Sequence, residues 1–544
     1  MKKKSLALGL AAGVSAAVLA LTGCAGGGSP APTDGPVASG PAVTVNWGEP
    51  ENALIPANTN EVNGGLVLNN LFAGLVYYEA DGAWAYDAAE SIESDDFQHW
   101  TIKVKPGQTF SDGSPVNAES FVKAWQWGAS DPELLNQWWF IDAVPFDGGT
   151  YDGGEDTLSL EVVDDLTFTV DLLRPMADFP LALGYTVFFP LPESFFADPD
   201  AFGENPIGNG PYKIAENGWE HGTKLSVVPN ETYTGPRVAQ NSGVDFIVYA
   251  SEDAQYADLL SDNLDIMQNV PQSALATFQA DLGDRAVYQG NAVFQSFTIQ
   301  PTLPHFAYDE EGTLRRAAIS HAINREEITQ VIFEGTRTPA EDFTSPVIAG
   351  FDPASIEGSD VLEFDPDKAV ALWEQANAIS PWSGSFQIAY NADSSHQAWV
   401  DATANSIKNV LGIDASGLPY PDFAGLRTEV NARTIPSAFR TGWQFDFPSQ
   451  SNILGALYVT GAGSNDADYS NPEFDALFEQ GVTSATLEEQ VEAFNAAQAL
   501  LFRDLPAIPL WYGATTAGFS TLVDNVEFGW DSWPILYAVT KAAQ

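Results

Sequence analysis

Apolar residues recur along the chain at two spacings, and each spacing predicts an element. Alternation with period two runs through 99–105, 166–174, 224–229, 244–249 and 293–299, the pattern of half-buried strands. Elsewhere the apolar spacing lengthens to three and four, and helix caps stand just ahead of it. Asn117 can cap a helix on which Phe121 and Trp125 share a face, and Asn324 followed by Glu327 has the form of a capping box. Asp365-Pro366 sets a cap and a first-turn proline before Ala369, Leu372, Trp373 and Ala376. Asn471-Pro472 does the same before Phe474, Leu477 and Phe478, and Thr486 with Glu489 precedes Val491, Phe494, Ala497 and Leu501. Strands and helices interleaved over the whole length predict an α/β chain of several lobes.

The N-terminus departs from this pattern. Lys2, Lys3 and Lys4 precede an apolar stretch from Leu6 to Leu21 that closes on Leu21-Thr22-Gly23-Cys24, the layout of an export signal. The stretch is at the short limit for a bilayer span and rich in Ala and Gly, which favours a cleaved peptide, 1–23, over a retained helix. Small residues before a cysteine resemble the lipobox of bacterial lipoproteins, and that resemblance implies a diacylglyceryl group on Cys24. Cys24 is the sole cysteine, so structural disulfides and cysteine metal clusters are excluded. Residues 24–41 then read as the lipidated cysteine and a Gly/Ser/Pro/Ala tether unable to pack a core. The body would be extracytoplasmic, lipid-anchored to the cell membrane.

Composition narrows the function classes. The 544 residues are 45% hydrophobic and 12% aromatic, enough to offset chain entropy and exclude a disordered chain. With 73 acidic against 22 basic residues the net charge is −51, which repels phosphate polyanions, so nucleic acid is not expected as a partner. No GxSxG, HExxH, GxxxxGKS/T or CxxC pattern occurs, and the five histidines, His99, His221, His305, His321 and His396, lack ligand spacing. Neither a metal nor a cofactor is expected. Two carboxylates are all a glycosidase needs, so an extracellular hydrolase stays open as a remote alternative with no residue in its favour.

Five stretches, in order, resemble the extracytoplasmic solute-binding proteins of ABC transporters, in the family of oligopeptide and dipeptide binders. They are Asn70-Leu71-Phe72-Ala73-Gly74-Leu75, then Trp100-Thr101-Ile102-Lys103-Val104 leading to Phe110-Ser111-Asp112-Gly113-Ser114-Pro115-Val116, then Gly208-Asn209-Gly210-Pro211-Tyr212. Leu314-Arg315-Arg316-Ala317-Ala318 and Phe364-Asp365-Pro366-Asp367-Lys368 follow. The resemblance implies a periplasmic-binding-protein-like α/β fold of class II (cluster C), no catalysis, a monomer, and delivery of the captured solute to a transmembrane permease. It also implies two gripping lobes closing on a hinge: lobe I from 42–78, 205–299 and 510–544, an extra lobe II at 79–204, and lobe III at 300–509.

The same resemblance marks a site. Arg440-Thr441-Gly442-Trp443-Gln444-Phe445-Asp446 is similar to the family stretch whose backbone pairs with a peptide and whose Asp takes the α-ammonium group. Asp446 is thereby the expected amine anchor, and Gly442, Trp443 and Gln444 the expected pairing strand. Chemically this is coherent: a carboxylate only accepts, an ammonium only donates, and charge assistance strengthens the bond. Asn60, Glu61 and Val62 fall where the family offers its other pairing edge. Alternatives stay open at three positions. Arg440 could meet a peptide carboxylate or hold a structural ion pair, Trp443 could be core or ligand wall, and Asp446 could simply close a strand. The departure Phe447-Pro448-Ser449-Gln450 after Asp446 alters the local loop. Short peptides are the expected ligand, with an oligosaccharide, metal chelate or other small polar solute as the alternative cargo of the same fold.

Overall fold

The computed structural model describes residues 40–50, 52–150, 158–392 and 394–542. The expected export signal, Cys24 and the tether up to residue 39 lie outside the described residues.

The period-two segments form strands of two sheets. His99–Val104 and Thr167–Asp171 are central in a four-stranded antiparallel sheet, flanked by Ala89–Glu93 and Leu160–Asp164. Along His99–Val104 every second residue is buried, placing Trp100, Ile102 and Val104 on the core face. Lys224–Pro229 and Val244–Val248 pair antiparallel in the larger sheet. The alternation at 293–299 captures only the second half of a 13-residue strand, Ala286–Thr298. Its first half lacks a buried face, Tyr288 being 46% exposed; it is extended because its backbone pairs with Ala514–Gly518.

The helix caps sit where the sequence puts them. Asn117 Oδ1 accepts from Ser120 N (3.1 Å) while Ser120 Oγ accepts from Asn117 N (3.2 Å), so the Ala118–Ser130 helix opens on a reciprocal box that buries Phe121 and Trp125. Asp365 caps Pro366–Ile379, Asn471 caps Pro472–Val482 and Thr486 caps Leu487–Asp504. At Asn324 the box is only half made. Its side chain takes Glu327 N (3.1 Å), but its own N–H donates to Ser406 Oγ (3.1 Å) and its amide turns to the Glu327 carboxylate (2.9 Å).

The larger sheet has eleven strands, and two 13-residue strands, Ala286–Thr298 and Ala507–Phe519, run antiparallel through its middle. On one side they continue through Ile266–Met267 to Val43–Trp47, Val244–Val248, Lys224–Pro229 and Tyr212–Glu220. On the other they continue through Ala438–Gln444 to Ser385–Asn391 and Asp414–Tyr420. Their register breaks between Gly290 and Phe294. Two large apolar cores flank this break. One gathers residues such as Val45, Leu71, Trp125, Phe188 and Phe246, the other Phe294, Ile319, Trp373, Phe494 and Trp511.

Three of the five stretches dock on one another. A Cβ at Gly208 would lie 1.9 Å from Leu71 O and one at Gly210 2.6 Å from Phe72 N, so glycine alone allows this approach. Asn209 then pairs with Ala73 through both amide atoms, each at 2.9 Å, and Gly208 O accepts from Ser111 N (2.8 Å). The fourth stretch buries Arg315 and Arg316, the latter donating through its two terminal nitrogens to the carbonyls of Ile299, Phe306 and Leu505.

Candidate functional site

The Ala438–Gln444 strand pairs along its length with Ala286–Thr298, Trp443 opposite Phe294 and Arg440 opposite Phe297. Its other edge pairs with Ser385–Asn391 only at Ala438 and Phe439. From Arg440 to Gln444 that edge carries no second strand among the described residues. Gly442 is required here because a Cβ would lie 2.8 Å from Phe294 O. Gln444, at the strand's end, is exposed.

Asp446 stands two residues beyond the strand. Its N–H donates to Asn452 Oδ1 (3.1 Å), and its Oδ2 accepts from Asn452 Nδ2 (3.2 Å). The Tyr185 hydroxyl also donates to the carboxylate. No Lys, Arg or His pairs with Asp446 among the described residues. Crowding by protein pushes its carboxyl up to about 7, the hydrogen bonds from Asn452 and Tyr185 opposing that rise only in part. A second carboxylate behaves alike. Asp531 accepts from Trp533 N (3.0 Å), and burial pushes it up to about 6. Between the two lies Tyr78, which packs against both large cores, donates to Leu181 O (2.7 Å) and meets Trp530 edge-on at 5.5 Å. Both carboxylates, together with burial, hold its phenol well above the usual range.

The other expected residues are placed as follows. Arg440 Nε donates to Asn391 Oδ1 (2.8 Å) and its guanidinium lies 4.6 Å from the Phe423 ring, so protein groups engage it. Trp443 packs on the second core, donates Nε1 to Asn452 Oδ1 (2.7 Å) and lines a cavity of 210 Å³. Asn60, Glu61 and Val62 form no strand. Glu61 caps the Val62–Leu71 helix, its carboxylate accepting from Asn63 N and Gly64 N at 2.8 Å each, because two orphan amides need an acceptor. Asn60 and Val62 are exposed beside it.

Tyr78, Tyr185, Asn452 and Asp531 were not legible as site residues. Only Asn452 carries a local signal, lying six positions after Asp446 in a helix opened by Ser449. A larger cleft, 940 Å³, is lined by Gln295, Arg337, His396, Trp399 and Trp511.

Residues 84–465 match the family model described as bacterial extracellular solute-binding proteins, family 5 Middle. The chain belongs to that family. This family 5 chain is 23% identical over 517 residues to the oligopeptide-binding protein OppA of Bacillus subtilis, covering 92% of each. It is 26% identical over 460 residues to the periplasmic murein peptide-binding protein MppA of Escherichia coli, covering 82% of each. Among solved structures it resembles that of the Escherichia coli murein tripeptide binding protein MppA, with TM-score 0.76, 22% identity and coverage of 92% of this chain and 98% of the other. It also resembles Haemophilus influenzae OppA in complex with RPPGFSPFR, with TM-score 0.74, 21% identity and coverage of 93% and 99%. The family 5 fold is thus the periplasmic-binding-protein-like α/β fold. No helix among the described residues is long and apolar enough to cross a membrane.

Proposed function

We propose that this protein is a receptor for short peptides, which it holds in the cleft beside the Arg440–Gln444 strand edge and passes to an ABC permease without catalysis. The observation that carries the reading is the half-open strand followed two residues on by Asp446, a crowded carboxylate with no cationic partner among the described residues. A peptide backbone extended along that edge exchanges N–H and C=O groups that every peptide possesses, which gives affinity without sequence preference. Its α-ammonium group then supplies the missing charge at Asp446. The relatives named as oligopeptide and murein peptide binders, and a similar structure holding RPPGFSPFR, support peptides as the cargo class.

Residues 42–78, 205–299 and 510–544 with 79–204 form one jaw and 300–509 the other, and the two long strands, at their register break, form the hinge. A ligand touching both jaws stabilises only their closed arrangement. A lipid on Cys24 tethers the monomeric receptor outside the cell, next to the permease. Calorimetry with di- to pentapeptides and their N-acetylated forms tests the reading. Free-amine peptides bind, and acetylation or Asp446→Ala removes roughly 3–5 kcal/mol, the cost of orphaning one member of a buried pair. Equal binding of free and acetylated peptides removes Asp446 from the mechanism.

A further inference from the structure

Asn452 is 6% exposed and ties two residues of the site together. Its Oδ1 accepts from both Trp443 Nε1 (2.7 Å) and Asp446 N (3.1 Å). Both of these groups can only donate, so the amide orientation is fixed and its NH₂ must face the Asp446 carboxylate, which it meets at 3.2 Å. The helix itself does not need this side chain: Ser449 already caps Gln450–Tyr458, taking Ser451 N at 3.2 Å.

We propose that Asn452 is the positioning residue of the site, its amide aiming the Asp446 carboxylate into the cleft while its oxygen locks the carboxylate's backbone to the Trp443 strand. The inference rests on the peptide reading above and deepens it. A carboxylate held by a fixed amide donor, with the Tyr185 hydroxyl as its second neutral donor, presents its remaining lone pairs in a set direction, which an incoming ammonium needs. The same donor favours the ionised form. The titratable groups facing Asp446 from other elements are Tyr185 and Tyr78, both held well above their usual range, with Asp531 beyond Tyr78. Between pH 5 and 8 only Asp446 and Asp531 titrate in this cluster, and no hydrogen bond joins Asn452 to Asp531.

Asn452→Asp tests the inference, because it keeps the shape and both accepted hydrogen bonds while replacing the one donor by an acceptor. Calorimetry of tri-alanine and N-acetyl-tri-alanine from pH 5.5 to 8.5 reads the outcome. In the wild type, tri-alanine affinity rises with pH on an acid limb set by Asp446 and falls again as the peptide amine deprotonates. In N452D the acid limb moves up by at least one pH unit and tri-alanine weakens at least tenfold at pH 7. The basic limb stays in place, and the acetylated form changes less than twofold. N452A moves the acid limb in the same direction by less, and serves as the readout should N452D fold poorly. If either folded variant weakens both peptides equally with the acid limb unmoved, Asn452 merely shapes the strand and the proposal is overturned. Wild-type protein that binds both forms alike overturns the anchor reading itself, and this shows before any variant is made.

Discussion

An ionised carboxylate shut in without a cation destabilises the folded chain, and in the proposed function that liability at Asp446 is also what a positively charged ligand recognises. Its carboxyl sits at about 7 in the folded protein, well above the roughly 3.9 of an unfolded aspartate. Between those values the native state holds the extra proton, so stability is greatest at the acid end of the window and declines as pH rises through it. Asp446→Asn abolishes that contribution. At pH 8 the ligand-free variant should therefore be more stable than the wild type by on the order of a few kcal/mol, since each pKa unit corresponds to about 1.4 kcal/mol. Near pH 4 the two should melt together. Both should keep a residual slope from Asp531, which is raised to about 6. Melting curves across pH 4–8 check this, and equal slopes in the two proteins would show that Asp446 is well solvated. Binding runs the opposite way. An ammonium needs the ionised form, so peptide affinity falls as pH drops from 7 to 5 while ligand-free stability rises.

At the level of elements, the proposed site depends on a strand edge, and Gly442 lets that edge lie close against its neighbour. A Cβ 2.8 Å from Phe294 O must push one strand away from the other. Gly442→Ala should weaken free-amine and acetylated peptides alike, about tenfold at 1.4 kcal/mol, because it disturbs main-chain pairing and leaves the charge at Asp446 in place. Calorimetry on the same two peptide forms separates it from the charge variants. A selective loss of the free-amine form would show instead that the strand's role is to place Asp446. Local chemistry made much of this level legible. The caps at Asn117, Asp365, Asn471 and Thr486 and the alternation through Trp100, Ile102 and Val104 are written in neighbouring residues, and the structure uses them so. Ala286–Gly290 escaped because its strand is held by backbone pairing with a segment more than 200 residues away, which leaves no apolar period to read. Glu61 escaped for the opposite reason: a local need, two uncapped amides, takes its side chain. Tyr78 and Tyr185 reach Asp446 only through the tertiary fold, and nothing within a few positions of either marks them.

Over the whole molecule, a second set of contacts joins the 174–185 segment to the stretch that follows Asp446. Asp178 pairs with no Lys, Arg or His among the described residues. Its carboxylate accepts from Ser449 Oγ (2.5 Å), Ser451 Oγ (2.7 Å) and Gln490 Nε2 (2.9 Å), three neutral donors far from it in sequence. Ala177 N donates to Val482 O (2.7 Å) beside it, and Arg174 lies 3.6 Å from Glu479. Phe447, next to Asp446, is buried in the core built mainly from residues 43–266, with its ring 6.2 Å from that of Trp139. On the two-jaw reading proposed above, these contacts form only when the jaws are together, so they would bias the closed state whichever ligand is present. Hydrogen bonds to a charged group contribute about 1.5–3 kcal/mol each when buried, but an opened Asp178 regains water, so the net bias is smaller than their sum. Asp178→Ala should therefore lower the affinity of free-amine and acetylated peptides by the same factor, on the order of tenfold, because a reduced closed fraction scales every apparent affinity equally. X-ray scattering should find ligand-free D178A more expanded than the wild type, and saturating peptide should bring the two to the same radius of gyration. Unchanged affinity together with an unchanged radius would mean that the jaws close without Asp178, leaving Phe447 and the ligand itself to hold them.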